Sequence, residues 1–387
     1  GPELEVSVSV NATEAVDGGD VLTFTVSVAH GANSTGAAYD LVASDLLSGG
    51  LLELAGTGST PSGLLVLVNV TDENGVPQAG VALGAGDVAP GDPALTAQLG
   101  VAMAAAVPVL EVGWTVEITY VVQVNATLVR PGQAIDGALV NVTFGTSPRG
   151  SEGGSGSALS VTAPRPRVDV SALDAGRVQL ALTATSLAET GKAQYNATLE
   201  DVSLGEVVVL QLRARLVEAA TNLTLVVRLP DGSAARGLGY AGVVNGTLVT
   251  VGGSVSGAPA EGSAGVPSDS NGDGIDDTVV FALGDVDVAG YASGLTPAGA
   301  DEVLVEVRAL VLSAPGFAAA ANRPGRTLSA GAYALYETTS ATGGPAAADG
   351  SDTVVARTDA PEDALFEVVG PELEVSVSVN ATEAVDG

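Results

Sequence analysis

Along this chain apolar and polar residues alternate in short runs. Leu4, Val6, Val8 and Val10 are separated by Glu5, Ser7 and Ser9, the period of two that a strand with one wet face requires. The same alternation recurs over residues 21–28, 116–124, 139–144, 178–185, 207–216, 223–229, 279–283 and 303–312. Turn clusters separate the runs, among them Asp17-Gly18-Gly19-Asp20, Asn74-Gly75, Arg130-Pro131-Gly132 and Pro230-Asp231-Gly232. The best helix candidate is the Ala-rich run 101–107, and it is short. An all-β protein is expected.

Residues 1–18 read GPELEVSVSVNATEAVDG, and residues 370–387 read the same. Eighteen identities in a row are a repeat, and the offset of 369 (370 − 1) sets its period. Residues 370–387 are then the first strand of a following unit. Two kinds of polymer fit this pattern. Units can follow one another covalently, each contacting its neighbours in an extended array. Alternatively, a terminal strand of one subunit completes the sheet of the next.

Within one period the sharpest boundary is Ala163-Pro164-Arg165-Pro166, after the Gly/Ser-rich residues 150–157. Two prolines in three residues predict a stiff, extended joint. The expected division is a first β-sandwich over 1–163, a Pro-rich linker at 164–166, a second, larger β-sandwich over 167–369, and the repeated strand at 370–387.

Several segments resemble a family of surface-protein repeats known as domain of unknown function eleven. Residues 19–26, GDVLTFTV, with 38–46, AYDLVASDL, are similar to its opening, and 138–144, ALVNVTF, to its closing strand. Residues 202–208 and 222–232 resemble the same opening and loop in the second half, although Val226-Val227-Arg228-Leu229 departs from the pattern. The resemblance implies tandem immunoglobulin-like β-sandwiches of a large extracellular protein, in a linear repeat array or fibril. It carries no catalytic residues.

Composition narrows the functions. The 45 acidic residues against 14 basic ones, a net charge of −31, argue against a nucleic-acid partner, because little could neutralise a run of phosphates. The absence of cysteine removes disulfides, thiolate metal sites and cysteine catalysis. The longest apolar stretch, 101–110, contains Pro108 and falls well short of the roughly 20 residues of a membrane span, so no membrane segment is expected in this fragment. An export signal is expected upstream of Gly1.

The most specific motif is the glycosylation sequon, in which an amide acceptor stands two residues before a hydroxyl. Sequons occur at Asn11, Asn33, Asn69, Asn125, Asn141, Asn196, Asn222, Asn245 and Asn380, which is nine of the twelve asparagines, and the third residue is always Thr. N-linked glycans are expected, with Asn11, Asn125 and Asn141 on the solvent face of strands. Glycans there would block edge-to-edge association of sheets.

A second motif, Asp269-Ser270-Asn271-Gly272-Asp273-Gly274-Ile275-Asp276-Asp277, matches part of a calcium loop. Asp269, Asn271, Asp273 and Asp277 fall at positions 1, 3, 5 and 9, and Ile275 offers its carbonyl at 7. Position 12 is Val280 rather than Glu, and no helices flank the loop, so a structural clip is expected rather than a sensor.

Catalysis finds little footing. His30 is the sole histidine and reads as a turn residue without an evident partner; Lys192 is the sole lysine, in a polar loop. Trp114, the sole tryptophan, leads into a strand and is expected in the core. The expectation is therefore a structural, N-glycosylated repeat of an extracellular fibril or surface protein, with neighbouring copies head to tail. The alternative is an adhesin or carbohydrate-binding stalk.

Overall fold

The structure, a computed structural model, describes residues 1–46, 51–54, 66–77, 102–135, 139–147, 159–186, 200–236, 239–289, 297–312, 324–339, 353–361 and 363–368. Asn196, Asn380, Lys192 and the whole repeated segment 370–387 lie outside them. Everything described is strand, turn or short 3-10 turn, and the chain is all-β. Among the described residues no helix is long and apolar enough to cross a membrane.

The first half contributes β1 (Leu4–Val10), β2 (Val21–His30), β3 (Ala38–Leu46), β4 (Leu52–Leu54), β5 (Val66–Thr71), β6 (Ala102–Leu110), β7 (Thr115–Val124), β8 (Ala134–Ile135), β9 (Leu139–Gly145) and β10 (Leu159–Pro164). One sheet runs β1-β2-β7, with β4 and β5 both on the far edge of β7; the other runs β10-β9-β3-β6. The sets β1-β2-β7 and β10-β9-β3 reproduce the A-B-E and G-F-C orders of the immunoglobulin fold. Alternation decides the inward faces. Phe24, Val26 and Val28 of β2 meet Val116, Ile118 and Tyr120 of β7 in a core where all six are fully buried. Phe24 and Tyr120 stack at 5.5 Å between centroids.

The second half contributes β11 (Val168–Asp169), β12 (Val178–Thr185), β13 (Glu200–Val202), β14 (Val207–Arg215), β15 (Ala220–Arg228), β16 (Tyr240–Val251), β17 (Val255–Ser256), β18 (Val266–Ser268), β19 (Thr278–Val288), β20 (Glu302–Leu312), β21 (Arg326–Thr339), β22 (Thr353–Asp359) and β23 (Ala364–Val368). One sheet is β12-β14-β20-β16 and the other β13-β23-β21-β15-β19-β17, with β18 on β19 and β22 on β21. Their inner faces share one core, which includes Leu210, Leu225, Val305, Ala334 and Phe366. Two β-sandwiches in tandem result.

The Ala-rich run expected as the best helix candidate is strand β6, paired antiparallel with β3. Alanine favours helix locally, but eight cross-strand pairs outweigh that weak preference. Pro108 sits in this edge strand, where a missing N–H is tolerated. The pairing passes from Tyr39 opposite Val109 to Leu41 opposite Val107. Asp40 between them takes a positive φ of 50°.

Candidate functional site

The two sandwiches are joined by more than the chain that connects them. Pro164 still belongs to β10, paired with Leu139. Arg165 is buried, its guanidinium 5.5 Å above the Phe24 ring of the first core. Next, β11 pairs with β8, and Val170 makes a parallel bridge to Val16. Residues 164–170 are therefore built into the first sandwich: Val168 and Val170 are buried in its core.

A second connection runs the other way. The corner between β14 and β15 places Val217 (3% exposed) and Ala219 (0%) in the core of the first sandwich. A valine buried in this way contributes about 1.5–3 kcal/mol. Backbone bonds frame the corner: Gly18 N–H donates to the Glu218 carbonyl at 2.7 Å, and Ala220 N–H to the Val129 carbonyl at 3.0 Å. Gly18 must be glycine here, because a Cβ would lie 2.2 Å from the Glu218 oxygen and 2.5 Å from the Ala126 Cβ.

The surrounding contacts close the join. Val16 N–H donates to the Asp169 carbonyl at 2.9 Å and Ser171 N–H to the Val16 carbonyl at 2.8 Å; Val170 N–H reaches Gln133 and Gly132 N–H reaches Ser171. Arg130 lies 3.5 Å from Glu337, Arg177 lies 4.0 Å from Asp17, and the Thr338 hydroxyl donates to the Pro131 carbonyl. These ion pairs, half-buried and at 3.5–4.0 Å, add little individually. The buried corner and the backbone bonds hold the two bodies together.

Seven sequon asparagines are among the described residues. Asn11, Asn33 and Asn245 are exposed, while Asn69, Asn125, Asn141 and Asn222 are half-buried. Asn141 lies within β9 as expected, but Asn11 and Asn125 sit one residue past the ends of β1 and β7. At Asn125 the side-chain oxygen accepts from the N–H (3.0 Å) and hydroxyl (2.8 Å) of its own sequon Thr127, which curls the chain into a turn. Asn222 Nδ2 donates to Asp285 across the sheet at 2.9 Å. Asn245 follows a bulge in β16, and its sequon needs Gly246, since a Cβ there would meet Val279 Cγ1 at 2.7 Å.

The loop 269–277 is tied by its own polar groups. Asp269 Oδ1 accepts from the N–H of Gly272 at 2.7 Å and of Asn271 and Asp273 at 3.3 Å each; Oδ2 accepts from Gly274 at 2.8 Å. These donors, Gly274 above all, hold the Asp269 carboxyl below its ordinary range, since each favours the charged form. Asn271 Oδ1 and Asp273 Oδ1 accept from the residues two ahead, Asp273 and Ile275. Asp277, buried at 2% exposure, turns to Ser270 and Thr278. Among the described residues no three His, Cys, Asp or Glu side chains gather as a metal-binding cluster.

His30 is the last residue of β2 and, contrary to the expectation of an unpartnered turn residue, both ring nitrogens are engaged. Nε2 lies 3.0 Å from the Leu110 carbonyl and Nδ1 2.6 Å from the Ser34 hydroxyl. A carbonyl only accepts, so Nε2 is the donor to Leu110, and Nδ1 shares a hydrogen bond with the Ser34 hydroxyl. The histidine pins a turn. Trp114 is partly buried, packed against the margin of the first core.

No family model and no curated protein matches the chain. Among solved structures it is similar to the collagen binding domain of the Erysipelothrix rhusiopathiae surface protein RspB, at 9% identity over 95% of this chain and 96% of that one, with a TM-score of 0.20. It is also similar to the Actinomyces fimbrial adhesin FimA, at 12% over 94% and 99%, TM-score 0.21. A third is the CupB6 tip adhesin from Pseudomonas aeruginosa, at 10% over 95% and 99%, TM-score 0.29. The tandem β-sandwich fold rests on the sheets themselves.

Proposed function

We propose that this chain is one structural period of an extracellular, heavily N-glycosylated fibril or surface protein, with neighbouring copies joined head to tail. The observation that carries the reading is the fused join: residues 16–18, which end the repeated segment, bond to Asp169 and Ser171 of the connecting segment and to Glu218 at the corner of the second sandwich. A repeat that begins with the residues tying its own two bodies together is suited to a stiff rod. The sequons and the net charge of −31 support an exposed, soluble, glycan-coated surface.

Within this reading calcium acts at the loop as a clip, with Asp269, Asn271, Asp273, Asp277 and the Ile275 carbonyl as its ligands. The curled backbone supports it, and binding requires Asp277 to leave Ser270 and Thr278. Negative-stain imaging of the native material tests the whole: an axial repeat of two sandwiches is expected, and unconnected particles would overturn the array. The second reading is an adhesin or carbohydrate-binding stalk of a cell-surface protein. Binding of the isolated chain to glycans or collagen would favour it.

A further inference from the structure

We infer that the β2 edge and the join beside it are a docking site for residues 370–387 of a second copy of this chain, which take the place of the acceptor's own residues 1–18. The inference rests on the head-to-tail reading and supplies its contact. Its basis is that the site cannot distinguish two identical occupants: every side chain from Gly1 to Gly18 recurs from Gly370 to Gly387.

The native occupant shows what the site offers. Among the described residues β1 is an edge strand that pairs with β2 alone, with Leu4 opposite His30, Val6 opposite Val28, Val8 opposite Val26 and Val10 opposite Phe24. By the repeat, Leu373, Val375, Val377 and Val379 take those positions, with Asn380 in the place of Asn11, whose N–H and side-chain oxygen both bond Thr23. A register slip would turn the valines to solvent, so this pairing is strongly specified. Even the first residue transfers: the Gly1 nitrogen donates to the Thr35 hydroxyl, and a peptide N–H at Gly370 can donate likewise.

The segment brings more than a strand. Val385, Asp386 and Gly387 correspond to Val16, Asp17 and Gly18, which bridge to Val170, face Arg177 and donate to Glu218. An incoming copy therefore closes the acceptor's join as well as its sheet. Since the two ladders are identical, exchange costs nothing in strand pairing. A chain's own strand wins only through its effective concentration, on the order of millimolar for a short tether. Head-to-tail exchange of this kind is a heterologous contact, which extends into filaments when it does not close.

The test tilts that competition in the full chain. Val6 and Val8 are partly buried against the first core, so the double substitution Val6→Asp, Val8→Asp weakens the native strand and leaves residues 370–387 intact. Light scattering is expected to show mass rising with concentration to dimers and longer chains, returning to monomer with a tenfold excess of free peptide 370–387. The reciprocal variant, Val375→Asp, Val377→Asp, is expected to stay monomeric. If the first variant loses its fold, recovery of cooperative melting on adding the peptide supports docking and no recovery overturns it. A folded, monomeric first variant overturns it, as do oligomers that persist after removal of residues 370–387. Native fibres with a two-sandwich axial repeat alongside such a result would leave the array standing and remove only this contact.

Discussion

Gly18 donates its N–H to the carbonyl of Glu218 at 2.7 Å, a bond between residues 200 positions apart (218 − 18) that crosses from one sandwich to the other. Around it, a corner of the second body is buried in the core of the first. The join thus has the character of a domain interior rather than of a tether.

Substitution at Gly18 is the most direct probe of this join. In Gly18→Val the new side chain meets the Glu218 oxygen and Ala126, so a loss of about 1–3 kcal/mol from overpacking is expected. Urea denaturation measures it. Small-angle scattering should also show a broader distribution of lengths as the bodies separate, whereas a change in stability without any change in shape would place the strain within the first sandwich alone.

Asp269 supplies a pH dependence. Its carboxyl is held below its ordinary range by backbone donors, chiefly Gly274. A depressed folded value contributes stability that is fully present above the unfolded value of about 3.9 and is lost as pH falls through the folded value. The difference in urea midpoint between the parent and Asp269→Ala is therefore expected to be level above about pH 5 and to shrink below about pH 4. A difference that grows on acidification would contradict this.

For calcium, calorimetric titration of the full chain is expected to give a single site below millimolar, abolished in Asp269→Asn, Asp273→Asn. Proteolysis of the loop should slow with calcium in the parent and not in the variant. The absence of heat below millimolar calcium would retire the clip.

Glycan removal tests the coat. Enzymatic deglycosylation of native material is expected to cause lateral aggregation or faster proteolysis, because exposed strand edges lose their cover. Peptide mass mapping should find glycans first at the exposed Asn11, Asn33 and Asn245. Unchanged fibres after complete removal would count against a protective role.

The amino-acid sequence by itself determined the elements whose signal is local. Alternation at β1, β2, β7 and β20 is visible because valine and leucine mark every second position and one wet face marks the others. The sequons and the 18-residue repeat are identities of letters and need no fold to be seen.

Only the tertiary structure decided what depends on distant partners. β21 is built on Ala330, Ala332 and Ala334, side chains too small to announce a buried face, and it is a strand because β15, β22 and β23 pair with it. β6 is extended because β3 lies beside it. The Pro-rich segment reads locally as a spacer, yet Arg165 reaches Phe24 and Val170 reaches Val16, contacts that span more than a hundred residues of chain. Local pattern sets which face of a strand seeks burial; which surface receives it is settled by the packing of the whole chain, and that is why the join was invisible until the two sandwiches were placed together.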